Sequence, residues 1–441
     1  MFATFRNAWK VTELRSKILF TLLILFIYRL GAQIPVPYIS ASALEAFTDQ
    51  AAGSIFAYMN ILSGGAFGQA TLFALSVSPY ITAQIIIQLL TVAIPALERM
   101  SKDGEEGRRK ITAITRYATV ALSLITAYGY MQYMNYYGWL VDGINWFGKL
   151  VIVLCYCAGS SVIMWLAEKI NDYGIGNGIS MILFANIISR GPALVGQIIA
   201  MVFPTMNLAS FKWTGLILAI VSVVITLAIV VLVVWFTESE RRIPIQYAKR
   251  VVGRKMYGGQ SSNLPIKLNM TGVMPVIFAS SIVSIPATIA SFFPNSNFWK
   301  GVTGVFNYDG WLYLVLYLVL IVLFAYFYVM ISFNPVEVAN NIQKNGGSIP
   351  GIRSGRPTVQ YIKRILNRIT LIGAIFLCFI AGFPMIINII TSALGTSFAG
   401  LAFGGNSLLI VVGVALETHR DLEAQVALRS YGGSKAKGIF G

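Results

Sequence analysis

Side chains able to do covalent, redox or metal chemistry are few in this 441-residue chain, and they are scattered. There is one histidine, His419, and there are three cysteines, Cys155, Cys157 and Cys378. A disulfide or metal role would need them convergent, yet Cys155 and Cys157 are two apart on a helical run and point in different directions. They read as small apolar residues inside apolar segments. Intramembrane proteolysis would need a general base or a ligand cluster, and ion-coupled transport would need buried carboxylates, His or Lys at mid-depth. Apart from Arg29, Arg190 and the ends of the fifth and tenth apolar segments, those segments hold almost no ionisable residue. No phosphate-cradling Gly-rich loop occurs either. Instead of reactive groups, the chain supplies aliphatic side chains in long runs and basic charge between them.

The runs dictate the elements. Hydrophobic residues make up 56% of the chain and charged residues 11%, against about 25% charged in a soluble domain. Runs of about 20 apolar residues cross a hydrocarbon core as helices, because every backbone group there must be paired within its own segment. Ten such spans are expected, at 18–34, 71–94, 117–134, 150–167, 178–203, 214–236, 271–291, 311–331, 369–391 and 400–416. The first is followed by Pro35 and Pro37 rather than a small-residue cleavage site, so it reads as a retained span. Of the 33 Lys and Arg residues, 28 lie in the N-terminal segment 1–17, in alternate loops and in the tail 417–441. Of the other five, Lys149, Lys212 and Lys300 lie in the opposite loops, Arg190 is counted with them from within the fifth span, and Arg29 lies within the first. That bias puts both termini in the cytoplasm. It also explains the net charge of +16 without invoking a soluble nucleic-acid-binding domain.

Two cytoplasmic loops, 237–270 and 332–368, exceed what a helix connection needs. The first carries Arg241, Arg242, Lys249, Arg250, Arg254 and Lys255, the second Arg353, Arg356, Lys363, Arg364 and Arg368. Gly and Pro punctuate both, as at Gly258-Gly259 and Pro350-Gly351, which predicts ordered hairpins rather than linkers. Topogenic charge and attraction to anionic lipid account for a few of these residues; the number favours docking of a large partner.

The spans also repeat. Val77-Ser78-Pro79-Tyr80-Ile81 and Ile94-Pro95 of the second match Val273-Met274-Pro275-Val276-Ile277 and Ile285-Pro286 of the seventh. Gly176-Asn177-Gly178-Ile179-Ser180, opening the fifth, matches Gly404-Gly405-Asn406-Ser407, opening the tenth. Mates five spans apart make the halves, 18–203 and 214–416, inverted, with a pathway at their interface. On these four helices Ile81 and Ile85, and Leu183 and Ile187, pair at i, i+4, while Ile277 and Ile410 lie at comparable depth. Core packing is the ordinary fate of such residues, but the repeat brings them toward one axis, where a ring of aliphatics would exclude ions by dewetting. Segment 54–68, SIFAYMNILSGGAFG, is uncharged, too short to span and glycine-ended. It reads as a re-entrant helix rather than an interfacial one, which would carry a charged face.

With these motifs in order along almost the whole chain, the sequence resembles the SecY family, the channel subunits of bacterial preprotein translocases. The matching stretches are SPYITAQIIIQLL within Ala74–Leu90, GIGNGIS at Gly174–Ser180, YAKRVVGRKMY at Tyr247–Tyr257, Leu264–Gly272, Phe278–Ser281, Gly351-Ile352-Arg353 and Gly404–Ile410. The resemblance implies an all-α polytopic membrane protein. Its ten transmembrane helices would form two inverted five-helix halves around a central hourglass pore with a re-entrant plug helix. Ile81, Ile85, Leu183, Ile187, Ile277 and Ile410 would form its waist, with Leu183 replacing the family's usual isoleucine. Ser54, Ile55, Phe56, Met59, Asn60, Leu62, Gly64, Gly65 and Phe67 would belong to the plug. A lateral gate would open between spans two and three and spans seven and eight, with Gln84, Gln88, Ser280 and Ser281 along its seam. Arg254, Lys255 and Arg353 would dock a SecA motor or a ribosome, the latter through ribosomal RNA phosphates. SecE and SecG would accompany the channel in the plasma membrane; signal peptides and unfolded preproteins would be its passengers and membrane lipid its surroundings. No cofactor and no enzymatic activity of its own are expected.

Overall fold

Apolar runs that must satisfy their own backbone can do so only as helices, and helices dominate the molecule. The computed structural model describes residues 2–40, 60, 63–141, 143–203, 213–247, 250–252, 255–257, 261–290, 293, 296–305, 310–393 and 405–436. The chain runs through α1 (Phe2–Lys10), α2 (Thr12–Gly31), α3 (Ser78–Ala93), α4 (Pro95–Lys102), α5 (Gly104–Tyr136), α6 (Trp146–Tyr173), α7 (Gly178–Ser189), α8 (Gly191–Val202) and α9 (Trp213–Glu238). Strands β1 (Glu240–Tyr247), β2 (Arg250–Val252), β3 (Lys255–Tyr257) and β4 (Ser261–Lys267) follow. Then come α10 (Met274–Ala290), α11 (Asn297–Val305), α12 (Trp311–Ser332), α13 (Pro335–Lys344), β5 (Gly347–Ser348), α14 (Arg356–Ala393) and α15 (Gly405–Ala436).

Each expected span overlaps helix, although 71–77 of the second are turn and 400–404 of the tenth lie outside the described residues. By length and composition, six helices among the described residues could cross a membrane, or seven if the bent pair α3 and α4 is one span. The remaining segments fall short for local reasons. Helix α2 opens on a charged turn with Glu13, Arg15 and Lys17, α10 has 17 residues, and α15 carries its apolar stretch only to Leu416 before turning polar. The fifth span is two helices meeting at Arg190, with a proline in the first turn of α8.

One pair of repeat mates begins alike, while in the other Asn177 lies before its helix and Asn406 within its own. Both α3 and α10 carry proline as their second residue, where a missing N–H costs nothing. Helix α7 is capped by Asn177, whose side chain accepts hydrogen bonds from the amides of Ile179 and Ser180. The mates part at their second prolines. Ile94 is extended before Pro95 and the chain bends by 101° there, whereas Pro286 stays inside α10. Pro95 can start a new helix because α4 leaves the apolar layer with Glu98, Arg99 and Lys102.

One buried apolar cluster runs through residues of α2, α3, α6, α7, α9, α10, α12, α14 and α15, so the two halves share a core. Close helix approach depends on glycine at a few points. A Cβ on Gly178 would stand 2.0 Å from the Ala167 carbonyl oxygen of α6, while one on Gly191 would meet nothing within 4 Å. Gly178→Ala is therefore expected to lower the melting temperature of the detergent-solubilised protein by several degrees, and Gly191→Ala to leave it within a degree. Overpacking of this kind costs about 1–3 kcal/mol. Equal melting curves for the two variants would contradict the close α6–α7 contact.

The first long loop folds as ordered β structure, a departure from an all-helical chain, while the second holds α13, the two-residue β5 and the start of α14 rather than the expected hairpin. Strands β1 and β4 pair antiparallel from Glu240↔Lys267 to Gln246↔Ser261, and β5 joins the free edge of β1 at Gln246↔Ser348 and Tyr247↔Gly347. Strands β2 and β3 form a separate small hairpin. Ile243, Ile245 and Ile266 from the first loop bury against Ala339, Ile342, Ile349, Ile362 and Leu366 from the second. The loops thus make one platform with its own core. At its base Arg420 of α15 donates to the Thr237 carbonyl at 3.1 Å and to Glu238 at 2.8 Å, tying it to α9.

Candidate functional site

Helix α3 packs on α10 and α7 on α15, and the aliphatics expected at the waist are all buried in the shared core. Ile81 and Ile85 from α3, Leu183 and Ile187 from α7, Ile277 from α10 and Ile410 from α15 all lie in the shared cluster, none more than 7% exposed. Branched aliphatic side chains pack tightly around nothing larger than each other, yet carry no hydrogen bonds that would have to break for them to part. Gly413, on α15 one turn beyond Ile410, admits the Val273 side chain, since a Cβ would come within 2.7 Å of it.

A polar group sits beside this waist that sequence reasoning overlooked. Asn186, fully buried and adjacent to Ile187, donates from Nδ2 to Ser76 Oγ at 3.3 Å, and the Tyr28 hydroxyl lies next to both. The available signal was an asparagine in an otherwise apolar run, since such residues mark interhelical contacts.

The seam residues are more modest than expected. Helix α10 packs against both α3 and α5. Ser280 and Ser281 both donate to their own helix at the Ile277 carbonyl, at 2.8 and 2.9 Å. Gln84 and Gln88 are half-buried on α3. Among the described residues the serines are satisfied within α10, so they contribute small size rather than a cross-seam bond.

Ser54, Ile55, Phe56, Met59 and Leu62 lie outside the described residues. The end of that segment is described. Asn60 accepts from the amide of Gly68 at its Oδ1 (2.9 Å) and from the amide of Gly65 at its carbonyl (2.9 Å). Ser63 Oγ accepts from the Phe67 amide at 2.9 Å. Gly64 and Gly65 take φ of +66° and +94° in a turn that side chains rarely adopt. A Cβ on Gly64 would lie 2.9 Å from Arg29 Nη1 and 3.0 Å from both the Asn186 carbonyl and Ser189 Oγ. The glycine hinge therefore rests directly on α2 and on the end of α7 that carries Ile187.

On the platform, Arg254 lies outside the described residues, and Lys255 opens β3 paired with Val252. Arg353 is exposed in a turn between β5 and α14, flanked by Gly351 (φ +78°) and Gly355 (φ +95°). Thr358 Oγ1 donates to the Arg353 carbonyl at 2.9 Å and braces it.

This geometry has relatives. A family model described as SecY matches residues 71–419. The protein translocase subunit SecY of Streptomyces galbus is 42% identical over 448 residues, covering 98% of this chain and 99% of the relative. Two solved structures share the fold, each covering 97% of this chain and 94% of the other. One, from work on the plug domain of a SecY protein that stabilises the closed translocation channel, has a TM-score of 0.62 at 20% identity. The other, canine Sec61 in a ribosome–channel complex from the endoplasmic reticulum, has a TM-score of 0.62 at 18% identity.

Proposed function

Because the chain belongs to the SecY family, we propose that it forms the protein-conducting channel of a bacterial translocase, passing unfolded secretory proteins across the plasma membrane. The observation that supports this reading is that Ile81, Ile85, Leu183, Ile187, Ile277 and Ile410, from helices of both halves, are all buried in one apolar core. Such a waist repels ions when empty because water confined among alkyl groups is unstable, and it yields around a polypeptide because alkyl groups make no directional bonds. Ten spans in two inverted halves surround it, both termini are cytoplasmic, and segment 54–68 is the plug. Apolar segments of the passenger leave sideways where α10 meets α3 and α5, with α12 completing the gate. Exit there depends on transfer from a protein seam into lipid, so the small, internally bonded Ser280 and Ser281 and the half-buried Gln84 and Gln88 set how apolar a segment must be.

The chain supplies no driving force. Arg254, Lys255 and Arg353 offer a basic surface to a SecA motor or to a translating ribosome, whose phosphates attract Lys and Arg electrostatically. SecE clamps the helices and SecG accompanies them. The test is reconstitution of the chain with SecE and SecA in proteoliposomes, following protease protection of a secretory precursor. ATP-dependent protection is expected. With precursor and motor both competent on a reference channel, a complete lack of protection would overturn the reading.

A further inference from the structure

Helix α15 does more than bring Ile410 to the shared core. It runs unbroken from Gly405 to Ala436, so whatever grips it beyond the core also sets where Ile410 stands. Arg420 lies ten residues past Ile410, about 15 Å along the axis. It donates from Nη2 to the Thr237 carbonyl at 3.1 Å and to Glu238 Oε1 at 2.8 Å, with its side chain only 29% exposed. Thr418, in the same turn, donates from Oγ1 to Met181 Sδ of α7 at 3.6 Å, and a Cβ on Gly176 would lie 3.2 Å from that hydroxyl. Leu422, 1% exposed, is buried with Ile175, Leu14 and Ile18.

The Arg420 contact falls where the platform joins the membrane helices. Thr237 and Glu238 end α9, whose final carbonyls have no partner within the helix and attract a cation. Ser239 follows, and its carbonyl accepts from the Leu268 amide at 2.9 Å, just before the β1–β4 ladder opens at Glu240↔Lys267. A guanidinium suits this place because one nitrogen, bearing two N–H groups, reaches a carbonyl and a carboxylate together. One turn of α15 thus meets the base of the platform and, through Met181, the helix that carries Leu183.

We infer that Arg420 is a positioning residue for transport: it fastens α15 to the base of the platform, so a partner bearing on the platform moves α15 and α7 with it. The inference rests on the channel and docking reading above. Helices α7 and α15 are repeat mates, one from each half, and they supply Leu183, Ile187 and Ile410 to the shared core. Apolar contacts there have no direction and let the helices slide. The Arg420 bonds are directional and fix one separation. Without them the platform rocks at the α9–β1 joint while the waist stays where it was, and the work done by the partner is lost.

The test uses the complex with SecE in proteoliposomes and a SecA motor. Three quantities are read: motor affinity for the channel, precursor-stimulated ATP hydrolysis and protease-protected precursor. Arg420→Gln is expected to lower protected precursor about fivefold, the population shift of one net hydrogen bond and the scale suited to a partly exposed ion pair. Motor affinity and hydrolysis stay parental, so the ATP consumed per precursor rises. Arg420→Lys keeps a cation at the end of α9 and should recover part of the transport. Glu238→Gln leaves the Thr237 bond and should fall between parent and Arg420→Gln; its ATP consumed per precursor decides the matter if Arg420→Gln does not assemble with SecE. A merely damaged channel lowers hydrolysis and transport in the same proportion and leaves ATP per precursor unchanged. That result, parental transport in Arg420→Gln, or no recovery by lysine would overturn the inference. A parent channel that protects no precursor would overturn the channel reading instead.

Discussion

Arg353→Glu is expected to abolish SecA-driven precursor transport while leaving the channel assembled with SecE in the membrane. Arg353 stands exposed on a turn whose shape is set by Gly351, Gly355 and the Thr358 hydroxyl, none of which contacts its guanidinium. Its replacement therefore costs the fold almost nothing. At a docked interface the same change substitutes repulsion for a charge-assisted contact. Breaking a buried charge pair at an interface costs about 2–5 kcal/mol, which is roughly 30-fold to several-thousand-fold in affinity. Arg353→Lys should fall between, since an ammonium keeps the charge but loses the planar fork that binds a carboxylate at two points. The measurement is precursor-stimulated ATP hydrolysis by the motor alongside protease protection. Parental rates in both with the glutamate variant would remove Arg353 from the docking surface.

Ile410→Asn should have the second large effect, on the seal. Ile410 is 1% exposed inside the cluster shared by α3, α7 and α10. An amide placed there has no partner of its own, and a buried unpaired amide costs about 1–3 kcal/mol by protein mutational measures. Water supplies the cheapest partner, so the variant should wet the waist, conduct ions at rest and transport precursors whose signal sequences are too weak for the parent. Ile410→Leu conserves volume and apolarity and should change little, about 1.5 kcal/mol at most. Ion flux measured beside transport of a weak-signal precursor decides the matter. Unchanged selectivity in the asparagine variant would place Ile410 in ordinary packing, away from the conducting path.

Much of the molecule could be read from local pattern. A bilayer leaves an apolar run one conformation, so the ten runs foretold helices, and each expected span overlaps at least one, the fifth being split in two. Spacing of four residues put Ile81 with Ile85 and Leu183 with Ile187 on common faces. Gly and Pro signals marked both long loops as ordered; the first does form paired strands, but the second, expected to hold a hairpin at Pro350-Gly351, holds helix and one two-residue strand. Even the helix starts were legible, because Pro79 and Pro275 suit only a first turn and Asn177 is a strong cap.

Other features needed the folded chain. Nothing in either basic loop announces that β5 pairs with β1, because strand pairing across about a hundred residues leaves no local period. Pro95 and Pro286 look alike in the repeat, but one breaks its helix by 101° and the other does not, since only Pro95 is followed by residues that prefer to leave the apolar layer. The bonds of Arg420 reach positions 183 and 182 residues away. What the sequence alone determined is which segments are apolar helices and which of their faces are apolar, because hydration of the backbone and periodicity of side chains act within one segment. The tertiary structure alone decided which of those faces meet, and so assembled a shared apolar core and a platform, because van der Waals contact and hydrogen bonding between distant segments exist only once the chain has brought them together.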